Sequence, residues 1–279
     1  MTQNKNLALI VCYMGQFPWY IDYFIHSSKY NPTVDFFIIT NQTGYSKVLP
    51  VNVKLVHKTL DEISSLASEK LGFSVNITSG YKLCDFKPAY GFIFSEILQP
   101  YNWWGHVDLD IIFGNIRNFI TDDLLDSYDL ISVRPDWIPG CFLLFKNNQK
   151  MNSLFKHSKD YRKVFSSNIH YCFDETNFAH EAFEEGMAYH EIKTEIESMM
   201  HVVKKMEAEN YIKPYFDLHI IEGVPGKLRW NNGKLFYRNK YEVLLYHLIR
   251  LKKNYAPKTT PINIPCSFTI SPTNIYHNK

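Results

Sequence analysis

Two aspartates interrupt an apolar segment near the middle of the chain, in the run WWGHVDLDIIFGNIRN of residues 103–118. Residues 103–107 are typical of a buried strand, and apolar residues resume directly after Asp110. Because an unpaired buried carboxylate is costly, we expect Asp108 and Asp110 to be paired, hydrogen-bonded or bound to a metal. In a strand the two side chains would point the same way and could hold a hard divalent cation together. The ordinary alternative is a surface turn or a helix cap, which accounts for most Asp-x-Asp sequences.

A second acidic pair and a late histidine are further candidates for chemistry. Asp174 and Glu175 lie in the charge-rich region 151–209, whose pattern is mainly helical. Helix N-capping by Asp174 is the ordinary explanation, and a functional role requires that the pair faces the edge that carries Asp108. His247 lies in an apolar run that ends in basic residues, where a histidine is more often a satisfied core residue than a ligand.

The segment YKLCDFKPAY of residues 81–90 carries a third set of polar groups, Asp85 and Lys87, just before Pro88. Proline suits the first turn of a helix, so both side chains are expected at the positive end of that helix. Lys87 could then pair with an acid or meet a ligand phosphate. The sequence fits equally well with a capping role for Asp85 and a solvated Lys87.

Strands that alternate with helical segments predict an α/β fold with a mainly parallel central sheet. Ligands bind at the carboxyl ends of the strands in such sheets, which places residues 12–16, residues 41–44 and the Asp-x-Asp pair along one edge. The predicted strands cover 7–13, 34–40, 51–57, 129–133 and 141–145, and the predicted helices cover 19–25 and 61–71, with Thr59 and Glu62 as a capping box for the second.

Turn signals organise the rest of the chain. The Asn-Gly pair within 227–238 lies between alternating apolar and polar residues and predicts a β-hairpin. The tail from Ala256, rich in Pro, Thr and Asn, is expected to be irregular. The loop 134–140 contains two prolines and Trp137, which we expect to be exposed. Such a tryptophan could be a platform for the apolar face of a sugar, although a packed tryptophan is the commoner case.

Composition excludes several classes of protein. A chain of 279 residues with 46% hydrophobic residues is a folded protein, large enough for one large domain or two small ones. Its net charge of +2 is too balanced to predict nucleic-acid binding. The N-terminus is expected to be a core strand and not a signal peptide, and no apolar segment approaches the roughly 20 residues of a membrane helix. Five scattered cysteines suit the reducing cytoplasm, with peripheral contact at the inner face of a membrane left open.

The order of these features resembles that of GT-A-type nucleotide-sugar glycosyltransferases, and more narrowly an uncharacterised bacterial family of polysaccharide-locus glycosyltransferases. The narrower likeness rests on CDFKPAYG at residues 84–91 and on WGHVDLDIIFG at residues 104–114. It extends to region 18–35 and covers most of the first 150 residues. The C-terminal half matches only through the acidic pair and through the histidine with its basic residues, where HLIRLK departs from the commonest His-x-x-Gly-x-x-Lys-Pro-Trp form.

The resemblance implies a role for each candidate residue. Asp110 would be the firmer ligand of Mn²⁺ or Mg²⁺, Asp108 would reach the ribose or the metal, and His247 would complete the metal shell. Asp174 or Glu175 would bind the acceptor or, in an inverting enzyme, take the proton of its hydroxyl. The residues expected around the nucleotide-sugar donor are Cys12, Tyr13, Gly15, Asn41, Asp85, Lys87, Asp108 and Lys252, and those expected around the acceptor are Trp137 and Gly140.

The predicted function is therefore metal-dependent transfer of a hexose-type sugar from a nucleotide sugar, expected to be UDP-linked, to a glycan or lipid-linked glycan acceptor in surface polysaccharide synthesis. Residues 1–150 would bind the nucleotide sugar and residues 151–279 the acceptor, as parts of one GT-A domain. Two alternatives stay open at this point. One is a phosphoryl or nucleotidyl transferase that uses the same carboxylates, and the other is a non-catalytic carbohydrate-binding protein.

Overall fold

Runs of consecutive apolar residues form the centre of the fold, as expected for strands covered on both faces. A computed structural model describes residues 6–223, 226–257 and 263–277 of the chain. Seven strands make up its largest sheet: β1 (Leu7–Tyr13), β2 (Val34–Thr40), β3 (Val53–His57), β4 (Trp103–Val107), β6 (Leu130–Ser132), β7 (Phe142–Lys146) and β8 (Pro214–Phe216).

This sheet has the order β3-β2-β1-β4-β7-β6-β8. Four of its six strand pairs are parallel, and β7 is antiparallel to both of its neighbours. The prediction of an α/β fold with a mainly parallel sheet is confirmed. Since β8 comes from the C-terminal half of the chain, both halves contribute strands to the same sheet.

Alternate residues of the central strands supply the two cores that cover the sheet. On β1, Ala8 and Ile10 belong to one buried cluster, and Leu7 and Leu9 belong to the other. This is the two-residue period of a strand whose faces are both covered. All five residues of β4 are buried, which confirms the strand predicted before the Asp-x-Asp pair.

Two smaller sheets complete the fold. Their strands are β5 (Ile111–Phe113), β9 (Ile220–Glu222), β10 (Leu228–Asn231), β11 (Lys234–Tyr237), β12 (Tyr241–Val243), β13 (Leu245–His247), β14 (Ser267–Ile270) and β15 (Ile275–His277). One sheet has the order β5-β13-β9 and the other the order β12-β11-β10-β14-β15.

The hairpin predicted within 227–238 is confirmed, and the prediction of an irregular tail from Ala256 is wrong in part. Asn232 and Gly233 join β10 to β11 with φ of 46° and 84°, the left-handed conformation of a tight hairpin turn. In the tail, β14 and β15 are regular strands: β14 pairs with both β10 and β15, and its Phe268 ring stacks on Trp230 at 5.0 Å between centroids. Residues 258–262 and 278–279 of the predicted tail lie outside the described residues.

The helices are mostly short, and Thr59 and Glu62 form the predicted capping box of the helix Leu60–Leu71. Within the described ranges, no helix is long and apolar enough to cross a bilayer. The α-helices are α1 (Ile21–Lys29), α2 (Leu60–Leu71), α3 (Tyr90–Ile93), α4 (Ser95–Leu98), α5 (Asp122–Ser127), α6 (Gln149–Asn152), α7 (Tyr161–Ser166), α8 (His180–Glu184), α9 (Met199–Ala208) and α10 (Leu251–Asn254), and 3₁₀ helices cover Tyr81–Ala89, Ile116–Asn118 and Leu154–His157.

Candidate functional site

Asp108 and Asp110 lie in the bend between β4 and β5, at the carboxyl end of β4. The expectation that a strand would align them was wrong, because β4 already ends at Val107. The bend still brings a side-chain oxygen of each aspartate and a ring nitrogen of His247 within 4.8 Å of one another. The Asp110 carbonyl accepts a hydrogen bond from the Leu248 N–H at 2.9 Å, which ties the bend to the end of β13.

Asp110 is buried between a lysine and a histidine. Its Oδ2 accepts a hydrogen bond from Lys252 Nζ at 2.6 Å and lies 3.2 Å from His247 Nε2. Burial alone would raise the pKa of the Asp110 carboxyl, but the hydrogen bonds and charges of His247 and Lys252 hold it below its ordinary value. Asp110 is therefore ionised at neutral pH, as a metal ligand must be.

His247 is oriented by a carboxylate on the neighbouring strand. Its Nδ1 lies 2.8 Å from Glu222 Oε1, and Glu222 Oε2 accepts a hydrogen bond from Arg134 Nη1 at 2.6 Å. A carboxylate behind a histidine fixes its tautomer and its direction toward a metal. Glu222 was not identified from the sequence. The one local feature that could have indicated it is its position as an acidic residue at the end of a short apolar run.

The donor atoms of Asp108, Asp110 and His247 fit a hard divalent cation. Two carboxylate oxygens and an imidazole nitrogen suit Mn²⁺ or Mg²⁺. Burial lowers the pKa of His247, but its neighbours Cys141, Asp110 and Glu222 raise it well above its ordinary value, so ligation at Nε2 requires loss of a proton. A bound cation would add positive charge at this site and could polarise a ligand there.

Lys87 joins the two acidic pairs. Its Nζ donates to Asp108 Oδ1 at 2.6 Å and to the Gly140 carbonyl at 2.9 Å, and it lies 3.5 Å from Asp174 Oδ2. Burial lowers the pKa of Lys87, but Asp108, Cys84 and Asp174 raise it well above its ordinary value. Lys87 is a buried cation and not a solvated one, and the second acidic pair faces the Asp108 edge.

The second acidic pair lies in a turn and not at a helix N-terminus, so capping does not explain it. Glu175 Oε1 accepts from the Gly140 N–H at 2.5 Å, and its Oε2 lies 2.8 Å from His180 Nε2. Burial raises the pKa of Glu175, but His180 and the Gly140 N–H lower it to about 2. Burial raises the pKa of Asp174 well above its ordinary value, with Lys87 opposing and Glu175 reinforcing this effect. Glu175 is therefore the more acidic member of the pair.

Asp85 lines neither of the two cavities that meet at Asp108, which corrects its expected place beside the nucleoside. The side chain is fully buried, pairs with Lys82 Nζ at 2.8 Å, and accepts from the backbone N–H groups of Tyr171 and Phe173 at 3.0 and 2.9 Å. The 3₁₀ helix runs through this position, so Asp85 is not a helix cap either. Its contacts instead fix the segment that leads to the second acidic pair.

Replacing Asp85 with asparagine is expected to lower the free energy of unfolding by about 3–5 kcal/mol at pH 7, because Lys82 is then buried without its counter-charge. Burial raises the pKa of Asp85, but His170 and Lys82 bring it below its ordinary value. The carboxylate therefore stabilises the fold above its unfolded-state pKa of about 4, and this stabilisation is lost as the pH falls through the lower folded-state pKa. In urea melts the difference in free energy of unfolding between wild type and Asp85→Asn should become smaller below about pH 4. The exposed Asp61→Asn is the control, and an Asp85→Asn protein as stable as wild type at pH 7 would contradict the buried pair.

Two cavities meet at Asp108. The first, of about 350 Å³, lies over the carboxyl ends of β1 and β4, and the second, of about 460 Å³, lies over the second acidic pair. The first is lined by Cys12, Tyr13, Tyr20, Tyr90 and Asp110, and the second by Asp174, Glu175, Phe178, His180 and His247. Both are bordered by Tyr81, Cys84, Lys87, Asp108 and Lys252.

The residues expected around a donor divide into two groups. Cys12 and Tyr13 line the first cavity, and burial raises the pKa of Cys12 to about 12, so this thiol is neutral. Gly15 and Asn41 support the loop that follows β1, since the Gly15 N–H donates to Asn41 Oδ1 at 2.9 Å and Gly15 has a φ of 100°. Among the described residues, neither Gly15 nor Asn41 borders the two cavities.

Trp137 is buried, with 8% of its surface exposed, so the expectation of an exposed platform was wrong. The guanidinium of Arg134 lies 3.4 Å from the centre of the indole ring, and Asp136 and Glu222 hold that guanidinium in place. One face of the ring is therefore covered. The remainder borders a third cavity, of about 610 Å³, beside Arg250.

The backbone of Gly140 contacts Glu175 through its N–H and Lys87 through its carbonyl, and the neighbouring carboxylates leave no room for a side chain here. A Cβ at this position would lie 2.5 Å from Asp174 Oδ2 and 3.0 Å from Glu175 Oε1. Gly140→Ala is expected to displace these buried carboxylates and to lower the free energy of unfolding by about 1–3 kcal/mol in urea melts. Gly44→Ala is the control, because nothing lies within 4 Å of its Cβ. Equal stability of the two variants would show that the site tolerates the extra methyl group.

The model of one protein family, described as a family of unknown function (DUF6625), matches residues 9–279. The match spans both acidic pairs, the lysines that pair with them and the histidine of the candidate metal site. No curated protein matches the chain.

Proposed function

We propose that this chain, which belongs to the DUF6625 family of unknown function, is a metal-dependent glycosyltransferase of the GT-A type. The observation that carries the proposal is the meeting of two cavities at one candidate metal site. Asp108 borders both cavities, Asp110 borders the first, and His247 borders the second. Group transfer needs this arrangement, because donor and acceptor must reach one reacting centre in a fixed geometry.

The first cavity is the proposed site of the nucleotide-sugar donor, expected to be a UDP-sugar. It lies at the carboxyl ends of parallel strands, where α/β sheets bind ligands. Tyr13 and Tyr20 offer aromatic surface for the nucleoside, and Lys87 and Lys252 place positive charge at the end where the first cavity meets the second. A diphosphate at that end would lie beside Asp108 and Asp110, the residues that would hold Mn²⁺ or Mg²⁺.

Transfer requires that negative charge on the leaving diphosphate be stabilised as the bond to the sugar breaks. Lys252 is suited to this task, since its side chain is 33% exposed and its Nζ lies beside Asp110. Lys87 is fixed by Asp108 and the Gly140 carbonyl, so its charge is already oriented before substrate binds. The site thus carries positive charge that needs little reorganisation during the reaction.

The second cavity is the proposed acceptor site. Of the two carboxyl groups, Glu175 is the more acidic one and is hydrogen-bonded to His180, so we assign the acceptor hydroxyl to Glu175. Burial raises the pKa of Asp174, which lines this cavity beside Lys87. The acceptor in this proposal is a glycan or lipid-linked glycan of a bacterial surface polysaccharide, used in the cytoplasm or at the inner face of the membrane.

A screen of nucleotide sugars by thermal shift, with and without Mn²⁺, tests this proposal. A donor that binds only the folded protein should stabilise it, by about 2.7 kcal/mol at a hundred times Kd, and the shift should require the metal. Product analysis should then detect free nucleoside diphosphate. Release of pyrophosphate would instead indicate a nucleotidyl transferase, and a screen in which no nucleotide sugar shifts the midpoint would count against a donor site.

A further inference from the structure

Phe178 lies at the mouth of the second cavity in an unusual backbone conformation. Its side chain is 63% exposed, and its φ is 65°. A positive φ is rare for a bulky side chain and costs energy, so it persists only where the surroundings impose it. Folding alone gives no reason to hold an exposed phenyl ring in this way.

Asn177 imposes this conformation through three hydrogen bonds. Its Nδ2 donates to the Tyr171 carbonyl at 2.7 Å, its Oδ1 accepts from the Glu195 N–H at 2.8 Å, and its own N–H donates to the Cys172 carbonyl at 3.0 Å. Cys172 and Asn177 also have positive φ, of 51° and 54°. These contacts fix the backbone of the turn that carries Phe178 at the mouth of the second cavity.

Tyr81 and His170 extend this ring into an aromatic wall. The Tyr81 and His170 rings lie 4.3 Å apart between centroids, and the His170 and Phe178 rings lie 5.9 Å apart. His170 is anchored, since its Nδ1 lies 3.2 Å from Asp85 Oδ1, whereas Tyr81 is 66% exposed. All three rings border the second cavity.

Hydrogen-bonding groups share this cavity with the aromatic wall. Glu175 and His180 lie in its lining, and Asp108 lies at its junction with the first cavity. A pyranose ring has an apolar face of C–H groups and an edge of hydroxyls, so it needs both kinds of surface.

We propose that the second cavity is a pyranose-binding acceptor subsite, in which Phe178 and Tyr81 stack on the apolar face of the sugar and Glu175 accepts hydrogen bonds from its hydroxyls. The acceptor role of this subsite rests on the proposed glycosyl transfer. Sugar binding by the cavity does not, and it can be tested without a donor. It places the aromatic platform at Phe178 and not at Trp137.

The test is saturation-transfer NMR with methyl α-D-glucopyranoside and methyl β-D-galactopyranoside as probes, in the absence of metal and nucleotide. Wild type should bind at least one probe, and Phe178→Gly should weaken that binding about three- to tenfold through loss of stacking. Glycine accepts a positive φ, so the thermal midpoint of this variant should stay close to that of wild type. Tyr241→Ala, which removes a 53% exposed tyrosine from β12, is the matched control and should bind as wild type does.

The outcomes separate this inference from the proposed function. Equal probe binding by wild type and Phe178→Gly, or no binding of either probe by wild type, would overturn the subsite. Mn²⁺-dependent binding of UDP to wild type is measured alongside as the test of the donor site. If UDP does not bind while probe binding depends on Phe178, the sugar subsite stands and the glycosyltransferase proposal fails.

Discussion

Asp110→Asn is expected to reduce metal-dependent sugar transfer by about a thousandfold or more while the protein stays folded. The change removes the ionised carboxylate that His247 and Lys252 surround, and keeps the volume of the side chain. Lys252 is partly exposed and can be solvated when its partner loses charge. The measurements are the initial rate of nucleoside diphosphate release with Mn²⁺ and the thermal midpoint of the variant.

Asp123→Asn is the control for this prediction, since Asp123 lies exposed in the first turn of α5. Its rate should equal that of wild type. If Asp110→Asn transfers sugar at the wild-type rate, the carboxylate is not needed for the reaction, and the metal site proposed between β4 and β13 is wrong.

Lys87→Met is expected to lower the free energy of unfolding by about 3 kcal/mol and to lower transfer by about a hundredfold. Lys87 is the cation that pairs with Asp108 and faces Asp174, and its loss leaves negative charge without compensation in a buried region. The stability effect lies at the lower end of the range for a broken buried pair, because Asp108 is 31% exposed. Urea melts at pH 7 and donor turnover measure the two effects.

Lys204→Met removes a lysine from a surface pair with Glu207, at 3.0 Å, and is the matched control. Exposed pairs contribute about 0–1 kcal/mol, so this variant should differ little from wild type. If Lys87→Met changes the free energy of unfolding and donor turnover as little as Lys204→Met does, the buried lysine does not hold the two acidic pairs together.

Local signals account for the parts of the fold that the sequence predicts. The apolar runs of β1 and β2, the capping box of α2 and the Asn-Gly turn each depend on residues a few positions apart. The position of Asp108 and Asp110 after a buried strand belongs to this group. The backbone conformation of these two aspartates was not predicted, because β4 ends at Val107 and the expected strand is a bend.

Contacts between distant residues account for what the sequence does not predict. Glu222 reaches His247 across 25 residues, and Asp85 reaches the backbone of Tyr171 across 86 residues. Trp137 is covered because Arg134 stacks on it, and no periodicity reports such a contact. The conformation of Phe178 likewise depends on hydrogen bonds made by its neighbour to separate segments.

Electron paramagnetic resonance of Mn²⁺ bound with UDP tests the central claim most directly. If Asp108, Asp110 and His247 hold the ion and the ion meets the donor diphosphate, pulsed spectra should show nitrogen coupling from a directly bound imidazole and phosphorus coupling from UDP. The nitrogen coupling should disappear in His247→Gln. Spectra of the protein, Mn²⁺ and UDP that show neither coupling, or a nitrogen coupling that persists in His247→Gln, would contradict the proposed metal site.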